Sequence, residues 1–158
     1  MRTILLNTEI VAFVDDEDYD RLSKYNWSIS QSESSTQIRR YEGTKRDGRW
    51  VPMANDVLQL YGVLIDHKNL NPFDNQKSNL RQATHSQNMM NRSKFSNTTS
   101  KYKGVSWKKS NKKWVAQARY NGIVVYLGSF ENELEAARAY NEYAKQYYGE
   151  FALLNNLP

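Results

Sequence analysis

The sequence contains no cysteine in its 158 residues. It can therefore form neither a disulfide framework nor a thiolate metal site, and a reducing cytoplasm is the expected compartment. No apolar run approaches the roughly 20 residues that a membrane-spanning helix requires. The N-terminal residues 1–6 form too short an apolar stretch for a secretory signal, and acidic residues soon follow. These absences predict a cytoplasmic protein without a membrane partner.

Histidine is scarce, since His67 and His85 are the only two. Asp66 directly precedes His67, Asn79 follows twelve residues after His67, and Asn88 follows twenty-one residues after it. A carboxylate, an amide oxygen and an imidazole can together hold one hard cation and deprotonate one water. That is sufficient to cut a phosphodiester. An isolated Asp-His pair would more often be a turn residue beside an ordinary, partly buried histidine.

Acidic residues are missing from Lys101 to Arg119, a stretch with seven basic residues. Residues 1–92 carry 12 Lys/Arg and 12 Asp/Glu, whereas residues 93–158 carry 10 and 5, so the C-terminal part holds the whole net charge of +5. Such a stripe is either a solvated face or the binding surface for a polyanion.

Three parts follow one another along the chain. Residues 1–92 contain short apolar strands, a hairpin turn at 44–49, and short helices over 15–25 and 54–61. Within them, residues 62–92 predict two strands and a helix that starts with a capping box at Thr84. Polar residues 93–100 predict a linker. Residues 101–158 predict three strands, with an Asn121-Gly122 hairpin turn, followed by one helix.

The 62–92 segment resembles the HNH endonucleases of the phage and group I intron homing type. The elements that match are Asp66-His67, Asp74-Asn75, Asn79-Leu80, Thr84 and Asn88. The resemblance implies a ββα-metal module in which Asp66 and Asn88 bind a divalent metal ion, magnesium or alternatively manganese. It also implies that His67 is the general base and that Asn79 fixes the loop so that His67 points correctly. His85 is expected to be a structural residue or a phosphate contact.

One departure from the family pattern precedes this segment. Family members carry a His-Arg pair after a methionine, whereas this chain has Ala54 and Asn55 after Met53. The substitution favours an alternative hypothesis, a DNA-binding regulator whose nuclease site is weak or inactive. The intact Asp66, His67, Asn79 and Asn88 oppose it.

Residues 101–158 resemble the plant ethylene-response-factor (Apetala-type) DNA-binding domain. The matching motifs are Tyr102–Val105, Trp114–Arg119, Tyr126–Phe130 and Glu135–Tyr140. The resemblance implies that a three-stranded antiparallel sheet, packed on one helix, contacts duplex DNA. Strand alternation predicts that Trp114 faces the helix and Val115 faces outward, and the helix face is expected to comprise Ala136, Ala139, Tyr140, Tyr143, Ala144 and Tyr147. The expected DNA-facing residues are Lys103, Ser106, Lys108, Gln117, Arg119, Val124 and Tyr126.

These features together predict an α+β protein with an HNH nuclease domain over 1–92 and an Apetala-type domain over 101–158. The predicted function is a metal-dependent DNA endonuclease, phage or mobile-element encoded and acting in the host-cell cytoplasm. One site per chain predicts nicking, by a monomer or a homodimer. The basic and aromatic character alone also allows an RNA-binding protein, a third hypothesis.

Overall fold

The computed structural model describes residues 1–6, 9–32, 35–94 and 98–158. Over these residues the fold is α+β, with small antiparallel sheets and four α-helices. The chain divides into two compact units, Met1–Ala83 and Thr84–Pro158. The boundary between the two units, after Ala83, thus lies earlier in the chain than the domain boundary predicted at residue 92. Residues 95–97 of the predicted linker lie outside the described part.

The first unit begins with a hairpin, a helix and a three-stranded sheet, and it contains the short strands, the two short helices and the turn at 44–49 that the sequence predicts. Its elements are β1 (Arg2–Leu5), β2 (Val11–Val14), α1 (Asp16–Leu22), β3 (Ser28–Ser32), β4 (Ser35–Glu42), β5 (Arg49–Pro52) and α2 (Met53–Leu58). The sheet order is β3-β4-β5, and the turn predicted at 44–49 joins β4 to β5. Leu22, Val14 and Met53 are fully buried in the core, which lies among these elements.

A buried ion network ties three of these elements together. Asp56 of α2 accepts from Arg40 of β4 at 2.6 Å and from Arg21 of α1 at 3.0 Å. Because Asp56 and Arg40 are both buried, each needs the other to offset the loss of hydration. The network therefore sets how α2 lies on the sheet, immediately before the chain enters the motif segment.

The first unit ends in a second hairpin, formed by β6 (Leu64–His67) and β7 (Leu80–Ala83). A short 3₁₀ helix, Lys77–Asn79, leads into β7. The antiparallel register pairs Asp66 with Arg81 and His67 with Leu80. The two strands predicted from the sequence are thus present, and Asp66 and His67 close the first of them.

The second unit opens with α3 (His85–Asn91), which has the predicted capping box between Thr84 and Gln87. A sheet of order β10-β9-β8 follows, packed on a long helix, as the resemblance implies. The bounds are β8 (Val105–Lys108), β9 (Lys113–Tyr120), β10 (Ile123–Phe130) and α4 (Glu133–Tyr148). Asn121 and Gly122 have φ angles of 49° and 81°, which is the geometry of the predicted two-residue turn.

Two predictions about burial in this unit need correction. Tyr147 is 48% exposed, and the buried face of α4 instead contains Ala136, Ala137, Tyr140, Asn141, Ala144 and Tyr148. The face is rotated because Ala137 packs in the core cluster with the sheet, and because the side chain of Asn141 is bonded to Asn155 in the C-terminal segment. Val115, which is predicted to face outward, does lie beside outward residues such as Gln117 and Tyr126. It is nevertheless buried, with 4% of its surface exposed, because neighbouring side chains cover it.

Gly104 allows the helix to lie close to the sheet. Its φ is +75°, and a side chain there would collide with the ring of Tyr140. Trp114 packs against the core cluster between sheet and helix, as predicted. No helix in the described part of the chain is both long and apolar enough to cross a membrane.

Candidate active site and nucleic-acid interface

Asp66 lies at the buried end of β6, with 4% of its surface exposed. Its Oδ2 accepts hydrogen bonds from Arg81, at 2.9 Å from Nε and 2.8 Å from Nη2. The antiparallel register creates this pair, because it sets the two residues opposite each other. Because the carboxylate is buried, the hydrogen bonds from Arg81 offset its loss of hydration.

His67 is oriented by Asn75. The His67 Nε2 lies 3.2 Å from Asn75 Oδ1, and Asn75 Nδ2 donates to the carbonyl of Pro72 at 3.0 Å. Because the amide nitrogen is used by Pro72, its oxygen accepts, and Nε2 of His67 carries the proton. The basic nitrogen of the neutral ring is then Nδ1. Burial lowers the pKa of His67 below its usual value, which favours the neutral ring at pH 7.

Asn79 spans the loop between the two strands of the hairpin. Its Oδ1 accepts from the backbone N–H of Asn69 at 3.0 Å, and its Nδ2 donates to the carbonyl of Asp74 at 2.7 Å. Its own carbonyl accepts from the N–H of Lys68 at 2.9 Å. These three bonds hold both ends of the loop that begins directly after His67, which is the task that the family resemblance assigns to this residue.

The loop is also attached to the N-terminal hairpin. The backbone N–H of Phe13 donates to the carbonyl of Phe73, and the carbonyl of Phe13 accepts from the N–H of Asn75, both at 2.8 Å. Asp15 accepts from the N–H of Lys77 at 2.8 Å and from the amide of Gln76 at 3.2 Å. The sequence does not predict these supports. Asn75 belongs to the Asp74-Asn75 element of the HNH resemblance, which implies no role for it. Asp15 is 62 residues away from Lys77, and no local pattern indicates that the two residues are in contact.

The structure accounts for the two residues that depart from the family pattern. Ala54 is 6% exposed and belongs to the core cluster of the first unit. Asn55 Nδ2 donates to the carbonyls of Leu60 at 2.7 Å and Val63 at 2.8 Å, so it fixes the chain between α2 and β6. Both therefore contribute to packing ahead of the motif.

The donor chemistry fits a hard divalent cation held by few protein ligands. Among the described residues, no group of three or more His, Asp or Glu side chains is arranged to bind a metal ion. Asp66 offers a carboxylate oxygen, the class of ligand that Mg²⁺ prefers, and Mg²⁺ commonly keeps several waters. Asn88 offers an amide oxygen on α3 in the second unit. A divalent cation at Asp66 would share the carboxylate with Arg81.

In the second unit, one sheet face carries six of the seven expected DNA-facing residues. Gln117 and Arg119 are exposed on β9, and Val124 and Tyr126, on β10, are 51% and 63% exposed. The register pairs Arg119 with Val124 and Gln117 with Tyr126. Ser106 and Lys108 extend the same face on β8, where both are exposed.

Lys103 is placed differently from the expectation. Its ammonium group donates to the backbone carbonyls of Met89 and Met90, in the last turn of α3. Burial lowers the pKa of Lys103 to about 8. Cations are favoured at a helix C-terminus, where the carbonyls lack partners within the helix. Lys103 thus attaches α3 to the sheet domain within the second unit.

A cavity of about 590 Å³ lies between α3 and the adjacent end of this sheet. His85, the exposed first residue of α3, lines it together with Lys103, Ser106, Gln117, Arg119 and Val124. The structure therefore brings His85 next to several of the expected DNA-facing residues.

Comparison with known proteins agrees with both resemblances. Residues 100–150 match the AP2 domain family. An uncharacterized HNH endonuclease of Acanthamoeba polyphaga mimivirus is 31% identical over 153 residues, which cover 92% of this chain and 75% of that protein. The chain belongs to the HNH endonuclease family. Dehydration-responsive element-binding protein 2C of Arabidopsis thaliana is 45% identical over 56 residues, 34% of this HNH family member and 16% of the plant protein.

Proposed function

We propose that this HNH family member is a metal-dependent endonuclease that nicks duplex DNA. The observation that carries the proposal is the geometry of His67, whose Nε2 is bonded to Asn75 so that Nδ1 is the basic nitrogen. A half-buried, neutral and oriented imidazole is what a general base requires at neutral pH. It lies beside the carboxylate of Asp66, in a loop that Asn79 braces.

The residues divide the work as follows. His67 accepts a proton from the attacking water at Nδ1, while Asn75 and Asn79 keep the ring and its loop in place. Asp66 and Asn88 would hold a divalent cation, Mg²⁺ or Mn²⁺, which when bound stabilises negative charge on the phosphate and the leaving oxygen. The chain order β6, β7, α3 supports a ββα-metal module. One such site cuts one strand, and a double-strand break requires a dimer or two successive nicks.

The AP2 domain would dock the enzyme on DNA through the outer face of β8, β9 and β10. Arg119 suits a guanine edge, and Gln117 suits an adenine edge. Lys108 is exposed on the same face and suits a phosphate. Plant members carry arginine at several of the expected DNA-facing positions, where this chain has Lys103, Ser106 and Val124. Base recognition is therefore expected to be weaker or different, because lysine favours phosphate over bidentate guanine contacts.

The test is nicking of supercoiled plasmid by the full-length protein in Mg²⁺, Mn²⁺ or EDTA. We expect nicked circles with either metal, none with EDTA, and none from Asp66→Ala or His67→Ala. Asp20→Ala is the matched control, since that carboxylate is exposed on α1 and lies outside the loop. Activity of His67→Ala equal to the wild type would refute the assignment of the base.

A second candidate is a DNA-binding regulator without cleavage. The observation that favours it is Ala54, which occupies the position of the family's histidine within the core. The same experiment separates the two functions, since retained duplex binding without cleavage in either metal supports the regulator.

A further inference from the structure

The outer face of the first unit's three-stranded sheet is polar and aromatic, and none of the described strand residues on it is acidic. Strand alternation turns Ile38, Arg40 and Val51 to the buried side. The opposite side of β3, β4 and β5 carries Ser28, Ser30, Ser32, Ser35, Gln37, Arg39, Tyr41, Trp50 and Pro52. None of these strand residues is a carboxylate. Glu42, the only acidic residue of the three strands, lies on the other side and binds Arg40 and Arg49.

Two large aromatic side chains and a guanidinium cluster on this face. Arg39 Cζ lies 4.1 Å from the ring centroid of Trp50, and the rings of Trp50 and Tyr41 meet edge to face with their centroids 5.2 Å apart. Trp50 is 48% exposed and Tyr41 43%. Arg39 has no ion pair, and its Nε has no hydrogen-bond partner, among the described residues. A stacked guanidinium keeps a fixed orientation while its remaining N–H groups can donate to a ligand.

The turn between β4 and β5 adds two exposed cations at the end of the same sheet. Lys45 and Arg46 form no salt bridge within the described parts of the chain. Asp47, the neighbouring acid, accepts from the N–H and hydroxyl of Thr44, which lowers the pKa of its carboxyl. The turn and the outer face thus present three cations, Arg39, Lys45 and Arg46, against one carboxylate, that of Asp47, which is bonded to Thr44.

We propose that this face is a second docking surface for duplex DNA, with Arg39, Lys45 and Arg46 on phosphates. The charge is complementary to a polyanion, and hydroxyl and amide side chains are common donors to phosphate oxygens. A pair of antiparallel strands is also narrow enough to enter the major groove. The inference rests on the proposed function in one respect: the ligand of the second surface is taken to be the same duplex DNA that the enzyme is proposed to nick.

The test compares two charge-matched double variants of the full-length protein. Lys45→Ala/Arg46→Ala removes two cations of the surface, and Lys24→Ala/Lys145→Ala removes two exposed lysines outside both three-stranded sheets. Duplex affinity is measured across a range of salt concentrations, without metal, by fluorescence anisotropy. Loss of two phosphate contacts is expected to reduce the log–log salt slope by about 1.8. The control variant is expected to keep the wild-type slope, and both variants the wild-type thermal unfolding, because all four side chains are exposed.

The outcomes separate this inference from the endonuclease itself. A wild-type slope in Lys45→Ala/Arg46→Ala, while Arg119→Ala weakens binding, overturns the second surface and leaves docking through the AP2 domain standing. A reduced slope in Lys45→Ala/Arg46→Ala, together with a wild-type protein that binds the duplex but fails to nick it, supports the surface and refutes the endonuclease. Absence of duplex binding by the wild-type protein overturns the second surface.

Discussion

The loop after His67 and the outer face of the AP2 sheet use their polar side chains in opposite ways. In the loop, Asn75 and Asn79 are buried and bonded to the backbone or to His67. On the sheet, Gln117 is exposed and Arg119 makes a single described side-chain bond, to its own turn at Gly122. Bonded side chains fix one geometry for chemistry, whereas exposed ones remain available to a partner. Mutations in the two regions should therefore have separable effects.

The largest expected effect comes from removing the partner of the histidine. Asn75→Ala leaves His67 Nε2 without its acceptor, so the ring loses its orientation and nicking should fall by about 100-fold. Duplex affinity should stay at the wild-type value because the AP2 face is unchanged. Single-turnover nicking rates and anisotropy titrations measure the two quantities separately.

The fold of this variant must be checked, since Asn75 is 1% exposed. Asn75→Asp retains an acceptor oxygen for Nε2 but loses the amide that donates to Pro72, so it should recover part of the nicking rate relative to Asn75→Ala, with lower thermal stability than the wild type. Equal losses of nicking and of DNA binding in Asn75→Ala would break the distinction between the two regions.

The complementary change lies on the sheet. Arg119→Ala should weaken specific duplex binding by about 1–3 kcal/mol, the value of one bidentate base contact. At saturating protein, the nicking rate should equal that of the wild type, because the loop is untouched. Arg138→Ala, on the exposed side of α4, is the matched control. A nicking rate that stays low at saturation would mean that Arg119 acts in chemistry as well as docking.

The sequence predicts elements whose signals are local. The capping box at Thr84, the Asn121-Gly122 turn and the alternation along β9 each involve neighbours in the chain. The structure has the first two, and it has the alternation from Ala116 to Arg119, although Val115 is buried. The resemblance to HNH proteins identified the family, and the roles it assigns to Asp66, His67 and Asn79 stay predictions. Local patterns carry no information on contacts such as that of Asp15 with Lys77, because they depend on how distant segments fold together.

Lys103 and the buried face of α4 also depend on contacts that local patterns do not determine. The motif around Lys103 predicts a DNA contact, whereas in the structure its long side chain reaches the carbonyls of α3. The α4 pattern was compatible with two adjacent faces, since alanines and tyrosines occur on both. Only packing against the sheet selects the one that contains Tyr148, whose hydroxyl binds the backbone of Arg119.

A third prediction concerns the core that precedes the motif. Restoring the family's histidine with Ala54→His places a larger, polar ring where the side chain is 6% exposed. Overpacking of a well-filled core typically costs about 1–3 kcal/mol. We therefore expect lower stability in urea denaturation and no gain in nicking. Ala54→Gly, which adds no volume, tests whether overpacking is the cause. A rise in nicking at unchanged stability would mean that the core has room for the family's residue.

The smallest effect on nicking and DNA binding is expected from Lys103. Like Asn79 in the loop, this residue of the second unit uses its side chain to bond the backbone. Its pKa is lowered to about 8 in the folded chain, against an ordinary value of 10.5. Between these values the unfolded chain binds more protons, so this group makes stability rise with pH from about 8 to about 10.5. Lys103→Met keeps the alkyl chain and removes the titration. The difference in unfolding free energy between wild type and variant, measured by urea denaturation from pH 7.5 to 10, should therefore shift in favour of the wild type as pH rises. A difference that is constant with pH would mean that the ammonium group is solvated, and that Lys103 is as available to DNA as its neighbours on the sheet.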